Sequence, residues 1–315
     1  MRILRSGGRE SRLHSWRRAV HADLPALRSF LEADETARVG FSGRLIVEKP
    51  GSPKGECGEM EIKLPSPLRG SVWVADAESP GCIEGALLCH PSRLAFPIFP
   101  ADPARSAKLD RDLALLTSFF APVSALGLAS DVERYEGALS LTPRARVAYR
   151  LMRRSPLMRE IVSRDAPIAA YPALSVRRAI FADLEALMVL QEAYEREEVL
   201  TPIHSFNLAA CRASLGRALE RQLVYVAEEG GVMVGKAATN ARGFGADQIG
   251  GVYTLPARRG RGVARNLVSA LLCELDAQGR CASLFVKPTN APARALYHGL
   301  GFEDIGDYRA DYFEA

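Results

Sequence analysis

Between Leu255-Pro256 and Val263 the chain reads Ala257-Arg258-Arg259-Gly260-Arg261-Gly262. A strand-like run, "GGVYT", precedes this stretch and an amphipathic run, "GVARNLVSALLCELDAQG", follows it, so the basic loop sits where a strand hands over to a helix. The first amides of a helix have no internal partner, and the helix dipole adds positive potential there. Gly260 and Gly262 remove the side chains that would keep a phosphate from those amides. Arg259 and Arg261 supply charge for a diphosphate. The stretch is shaped to hold a phosphorylated ligand by main-chain NH groups, although glycines and arginines in such a turn also serve turn geometry and solubility. Two rival phosphate motifs fail: GxxxxGK[ST] is absent, and GxGxxG would need a glycine at Arg265.

Other residue types suited to chemistry follow or precede the loop. Tyr297, in "NAPARALYHGLGF", is a phenol with an ordinary pKa near 10 and a candidate half-buried aromatic packed on the sheet. Asn290 opens the same segment, where "TNAP" is also a helix N-cap with proline in the first turn. Glu197 and Glu198 end "EAYEREEVL", a run whose plain reading is a solvated acidic helix surface. His204 in "TPIHSFN" reads as a loop histidine. No Ser/His/Asp or Cys/His arrangement suggests a covalent nucleophile. The six cysteines show no CxxC and the five histidines are scattered, so no metal site is expected.

The elements that must position these groups read most clearly after residue 174. Their order is strand "LSVRRAI", helix "FADLEALMVLQEAYEREEVL", helix "NLAACRASLGRALER", strands "QLVYVAEEG" and "VMVGKAATNAR" around Gly230-Gly231, and strand "QIGGVYTLP". A helix with Val263, Leu267, Leu271 and Leu275 every four residues comes next, then strand "CASLFVKP", a short helix and a final strand region. The pattern is β-α-α-β-β-β-α-β-α-β. Earlier, 22–34 reads as a helix, "GRLIVEK" as a strand, 49–70 as loop, "SVWVAD" and "CIEGALLCHPSRLAFPIF" as strands broken at "HPS", and 109–120 as a helix. The stretch "DVERYEGALSLTPRARVAYRLMRR" reads as ending in a helix from Pro143.

The chain has 315 residues, enough for two domains, and 48% hydrophobic residues, enough for a sizeable core. The proline-rich 163–174 is the candidate linker. The expected division is a basic arm at 1–20, a domain at 21–165 and a second at 174–315. A net charge of +4 falls short of a nucleic-acid signature. No run of about 18 apolar residues suggests a membrane span, and the basic start lacks a signal peptide's apolar centre. A cytoplasmic location is the expectation.

At the basic loop the chain resembles the GCN5-related N-acetyltransferase (GNAT) family, over about residues 174–315. The family's signature of Arg or Gln, two residues, Gly, one residue, and Gly or Ala reads here Arg259-Gly260-Arg261-Gly262-Val263-Ala264. "GVYTLP" is similar to its fourth strand, and "NAPARALYHGLGF" to its "N..A..LY..LGF" segment. The resemblance implies an α/β fold: a mixed, mostly antiparallel sheet flanked by helices. It also implies acetyl-CoA as cosubstrate, with no metal. Val252, Tyr253 and Thr254 would pair with the pantetheine arm, and an amide at or near Val252 would polarise the thioester carbonyl. The amides of Gly260, Arg261, Gly262, Val263, Ala264 and Arg265 would hold the diphosphate, Arg259 and Arg294 would add charge, and Asn290 would touch the cosubstrate. Tyr297 would act as general acid towards the departing thiolate, Glu198, or else its neighbour Glu197, as base, and His204 would stand in the acceptor pocket. The acceptor would be a small-molecule or peptide amine, attacking directly in a ternary complex. A non-catalytic acyl-CoA sensor is the alternative, and a nucleic-acid binder using the basic arm ranks behind both. The first half has no such glycine loop and is read as a degenerate copy of the same fold, able to shape the acceptor pocket or mediate a homodimer.

Overall fold

A computed structural model describes residues 15–48, 60–65, 70–100, 103–116, 120–154 and 173–313. The first half contains β1 (Trp16–Arg18), α1 (Leu24–Glu32), α2 (Glu35–Ser42), β2 (Ile46–Glu48), β3 (Met60–Ile62), β4 (Ser71–Asp76), β5 (Ile83–Cys89), β6 (Leu94–Ile98), α3 (Pro103–Leu116), β7 (Ser124–Leu128), α4 (Ala129–Leu139) and β8 (Ala145–Arg154). The second half contains β9 (Leu174–Arg178), α5 (Leu184–Tyr194), α6 (Leu208–Arg221), β10 (Val224–Glu229), β11 (Val232–Arg242), β12 (Ala246–Thr254), α7 (Val263–Ala277), β13 (Cys281–Val286), α8 (Ala291–His298) and β14 (Phe302–Tyr312). The second half follows the order expected from its sequence, with one long final strand.

Twelve strands form one sheet in the order β1-β4-β5-β6-β7-β14-β8-β13-β12-β11-β10-β9, while β2 and β3 form a separate hairpin. All pairings are antiparallel except β6–β7 and β12–β13. The centre of the sheet is an exchange. β14, the last strand of the second half, pairs with β7 of the first. β8, the last described strand of the first half, pairs with β13 of the second. The two exchanged strands pair with each other from Phe302↔Arg154 to Tyr312↔Ala145. The halves therefore share one hydrogen-bonded ladder.

The exchange corrects one expectation. Residues after Pro143 are not a helix but β8, and the helix lies before them, at Ala129–Leu139. Arg146, Arg150 and Arg154 in β8 pair with Asp311, Asp307 and Asp276 at 3.1, 2.7 and 2.5 Å. A run this rich in arginine sits mid-sheet because acidic residues of the second half meet it. Three smaller differences follow. Trp16–Arg18, within the stretch read as an arm, is an edge strand paired with β4, with Trp16 buried. The helix expected at 109–120 begins at Pro103 and ends at Leu116. The loop expected at 49–70 contains β3. Most of the arm, 1–14, and most of the linker, 163–172, lie outside the described residues.

The halves repeat each other in sequence as well as in topology. "WRRAVHADLPAL" from Trp16 matches "VRRAIFADLEAL" from Val176. In both copies an arginine clasps an aspartate with both nitrogens, Arg17 with Asp23 and Arg177 with Asp183. In both, that aspartate also accepts the amide three residues before it, from Val20 and Ile180.

Each half has a parallel strand pair that opens. β6 and β7 pair only at Leu94↔Ser124 and Ala95↔Ala125. β12 and β13 pair from Ala246↔Cys281 to Ile249↔Leu284, after which β12 runs on to Thr254 without β13. In the first half the opening is filled. Arg44 lies over the Phe96 ring at 4.3 Å, and Arg38, Asp131 and the buried Tyr308 of β14 line the remaining cavity of about 20 Å³, room for one water. Among the described residues, no helix is long and apolar enough to cross a membrane.

Candidate active site

The second opening leads to the basic loop. Gly262 is the N-cap of α7 with φ +82°, and no side chain caps the helix; no acidic residue sits in its first turn. A left-handed N-cap is natural for glycine and strained for other residues. The NH groups of the first turn are thus left outward-facing, with neither a capping oxygen nor a neighbouring carboxylate. Gly260 has φ +76°, and a side chain there would project into open space. At the loop's root, Thr254 Oγ1 is buried without a hydrogen-bond partner. An orphaned buried hydroxyl beside uncapped helix amides suits a ligand that accepts hydrogen bonds.

The arginines of the loop have other engagements. Arg259 donates from Nη2 to Glu197 at 2.7 Å and from Nε to the Thr254 carbonyl at 3.1 Å. Tyr253 donates its hydroxyl to the same Glu197 oxygen at 3.2 Å. Arg259 holds the Glu197 carboxyl below its usual range, so Glu197 is a latch across the loop rather than an available base. Arg258 pairs with Glu229. Arg265 donates to the Gly299 carbonyl at 3.3 Å and Arg294 to Asp304 at 3.0 Å. Val263 is buried in the core beneath α7.

Glu198 sits apart from that latch. Lys287 Nζ lies 3.1 Å from its Oε2, and Asn290 Nδ2 donates to its Oε1 at 3.4 Å. Asn290 also caps α8, accepting the Ala293 amide at 3.2 Å, so the capping reading of this residue holds. Glu197 and Glu198 lie in a π-helical turn, Glu195–Val199, that ends α5. The wider turn is a device often found at functional sites.

Tyr297 is 7% exposed and edge-on to Phe302. Burial lifts its phenol well above the usual tyrosine range, with Tyr194 and Glu198 adding to the effect. Tyr297 and Glu198 are thus electrostatic neighbours. Tyr149, from β8 of the first half, stands against Phe285 with ring centres 4.8 Å apart, and its phenol is raised by burial and by Tyr312, Tyr194 and Glu198. His204 packs against Tyr312 with ring centres 4.9 Å apart, and its Nδ1 is 2.7 Å from Thr201 Oγ1. The exchanged strands therefore bring aromatic groups of both halves to the Glu198 side of the opening.

A family model described as "Acetyltransferase (GNAT) family" matches residues 185–302. The second half of the chain thus carries a GNAT domain at residues 185–302. Solved structures extend the fold to the whole chain. A Drosophila protein is similar with a TM-score of 0.63 at 13% identity, over 95% of this chain and 98% of that one. A tandem GNAT protein from the clavulanic acid biosynthesis pathway gives 0.55 at 16%, over 95% and 99%. A GNAT-family acetyltransferase from Colwellia psychrerythraea gives 0.51 at 10%, over 95% and 99%. Among curated proteins no relative matches. The first half thus repeats the GNAT architecture without a GNAT glycine loop: β6 leads to α3 through "FPADP", which carries an aspartate and no glycine.

Sequence reasoning passed over Lys236, Lys287 and Tyr149. Lys236 had a signal: it stands two residues before the apolar Ala238 in a strand, and both are buried. Tyr149 had none, because only the strand exchange brings it to the site.

Proposed function

We propose that the second half transfers an acetyl group from acetyl-CoA to a primary amine, and that the first half is a structural partner that also lines the acceptor side. The observation that carries this reading is the uncapped, glycine-lined start of α7 at the mouth of the opening between β12 and β13, inside a GNAT domain. The residues fit the cosubstrate. The amides from Gly260 to Arg265 would hold its diphosphate, the free edge of Val252–Thr254 would pair with the arm, and the orphaned Thr254 hydroxyl would gain a partner. When bound, the cosubstrate supplies an activated acyl group.

The chain's own residues would do the rest. The Val252 amide would polarise the thioester carbonyl. Glu198 would take the proton of the incoming ammonium, its second oxygen held by Lys287. Tyr297 is buried and stays protonated far into alkaline pH, so it would be available to protonate the departing sulfur. Arg259, bound to Glu197, would supply charge near the diphosphate only if that latch loosens.

Calorimetry with acetyl-CoA tests the site. Micromolar or tighter binding that Gly262→Asp abolishes supports it; no heat with the intact protein ends it. A screen of amines with wild type and Tyr297→Phe then separates an enzyme from a non-catalytic acyl-CoA sensor. The enzyme loses turnover in Tyr297→Phe while keeping its affinity for the cosubstrate. A sensor turns over no amine in either form.

A further inference from the structure

Lys236, on β11, is 3% exposed, and among the described residues its ammonium makes no ion pair. Instead Nζ donates to the Gly251 carbonyl at 2.9 Å and lies 4.5 Å from the centre of the Tyr194 ring. Burying an ammonium without a carboxylate is costly, so the arrangement needs a reason. Its target is an irregular part of β12. The ladder with β11 pairs Gly250 with Ala238 and Tyr253 with Lys236, so Gly251 and Val252 together face Ala237 alone. This is a β-bulge, and Gly251 takes φ +59° within it. A side chain on Gly251 would approach Lys236 Nζ to 3.1 Å. The bulge lies beyond Ile249, where β13 has already left β12.

The Gly251 carbonyl and the Val252 NH belong to one peptide group. No peptide bond described is cis, so the two point in opposite directions. A cation on the carbonyl withdraws electron density through the amide and makes the NH a stronger donor. We propose that Lys236 is a positioning residue for acyl transfer: it fixes the bulged Gly251–Val252 peptide and, through the Gly251 carbonyl, strengthens the Val252 amide that polarises the thioester. The proposal rests on the acetyl-CoA reading of the opening.

The charge state of Lys236 is set by its surroundings. Burial brings its pKa down to about 8, opposed by Glu195 and Cys211. Glu195, at the end of α5, is held by Gln191 at 3.0 Å, and Cys211 is buried on α6. Tyr194 lies under the ammonium, and Tyr253 is its cross-strand neighbour. Burial lifts both phenols, Tyr194 to about 12, so they stay neutral while Lys236 loses its proton. The polarisation should therefore be present at neutral pH and fade as pH passes about 8.

Isotope-edited infrared spectroscopy of the full chain with acetyl-CoA labelled with ¹³C at the carbonyl reads this directly and needs no acceptor. Calorimetry with free CoA, which lacks the carbonyl, runs beside it. The expected result is a bound carbonyl band below the free position at pH 7, returning towards it with a midpoint near pH 8. In Lys236→Met the band at pH 7 should sit near the free position, with CoA affinity within threefold of wild type. A wild-type band that keeps its position from pH 7 to pH 9.5 at full occupancy overturns the proposal, as does a Lys236→Met band equal to wild type. Should Lys236→Met fail to fold, the wild-type titration decides alone. If acetyl-CoA does not bind the wild type, the reading of the opening fails and the proposal falls with it; binding with an unshifted band sinks the Lys236 role only.

Discussion

The Glu35 carboxylate, on α2 of the first half, accepts the Gly245 amide of the second half at 2.8 Å. Its other oxygen takes the Phe244 amide and the Ser42 hydroxyl. One buried acid thus caps the turn between β11 and β12, and a side chain at Gly243 would strike it. Glu35→Ala would leave two amides without their acceptor. Hydrogen bonds to charged groups contribute about 1.5–3 kcal/mol, and orphaned groups cost about as much. Glu35→Ala should therefore lower stability by about 2–4 kcal/mol in urea unfolding, and Glu35→Gln by less, since its amide oxygen still accepts one bond. Equal losses in both variants would mean that the charge, not the acceptor geometry, holds the turn.

The second half was legible because its elements are regular. Leucines and valines recur at helical spacing in α7, and glycines and prolines mark its ends. The loop from Arg258 to Gly262 could be placed because strand, glycines and helix follow one another directly. The centre of the sheet was hidden. β8 is rich in arginine, and the acids that neutralise it, Asp276, Asp307 and Asp311, lie more than a hundred positions away. Nothing local separates such a run from an exposed helix. The internal repeat is a different case: "RRAVHADLPAL" and "RRAIFADLEAL" are plain once the chain is laid over itself. Local periodicity passes over that likeness. Among the site residues, Arg259 and Arg294 are drawn into ion pairs with acids that sequence alone does not connect to them.

Gly262 should tolerate no side chain in the bound state. At φ +82° an aspartate is strained by about 1–2 kcal/mol, and its carboxylate would occupy the space that the α7 amides face. Gly262→Asp should weaken CoA binding by more than a hundredfold in calorimetry while the far-ultraviolet dichroism stays that of wild type. Gly81→Asp separates strain from blockage, because Gly81 has φ +77° with nothing near its Cβ. It should lose similar stability and no affinity. Equal loss of affinity in both would leave the loop without a special role.

The repeated clasp predicts matched responses in the two halves. Arg177 holds Asp183 at 2.8 and 2.9 Å and Glu228 at 2.6 Å, and Arg17 holds Asp23 at 2.7 and 2.8 Å and Asp76 at 2.6 Å. Both arginines are about a third exposed, so solvent screens the pairs and each is worth about 1 kcal/mol. Arg17→Met and Arg177→Met should each lower stability by that amount at pH 7. The arginines hold Asp23 and Asp183 below the usual carboxylate range. A depressed carboxyl contributes stability above its unfolded pKa and loses it as pH falls through the folded one. The gap between wild type and either variant should therefore close in acid, which urea midpoints from pH 7 down to pH 3 would record. A gap that persists at pH 3 would assign the loss to packing.

Lys236 predicts a rise of stability with pH at the other end of the scale. Its folded pKa of about 8 lies below the 10.5 of an ordinary lysine. Between those values the unfolded chain keeps a proton that the folded protein has released, so folding becomes more favourable as pH rises. The full gain is on the order of 3 kcal/mol. Buried tyrosines such as Tyr297 and Tyr308 work against it above pH 10, because burial keeps them protonated while the unfolded chain ionises. They are common to wild type and Lys236→Met and cancel in the difference. The stability of wild type minus that of Lys236→Met, from urea unfolding at steps between pH 7 and pH 10, should therefore climb from about pH 8 upward. A flat difference would mean that Lys236 keeps its proton to about pH 10 in the folded protein, and the fading of the polarisation near pH 8 would not occur.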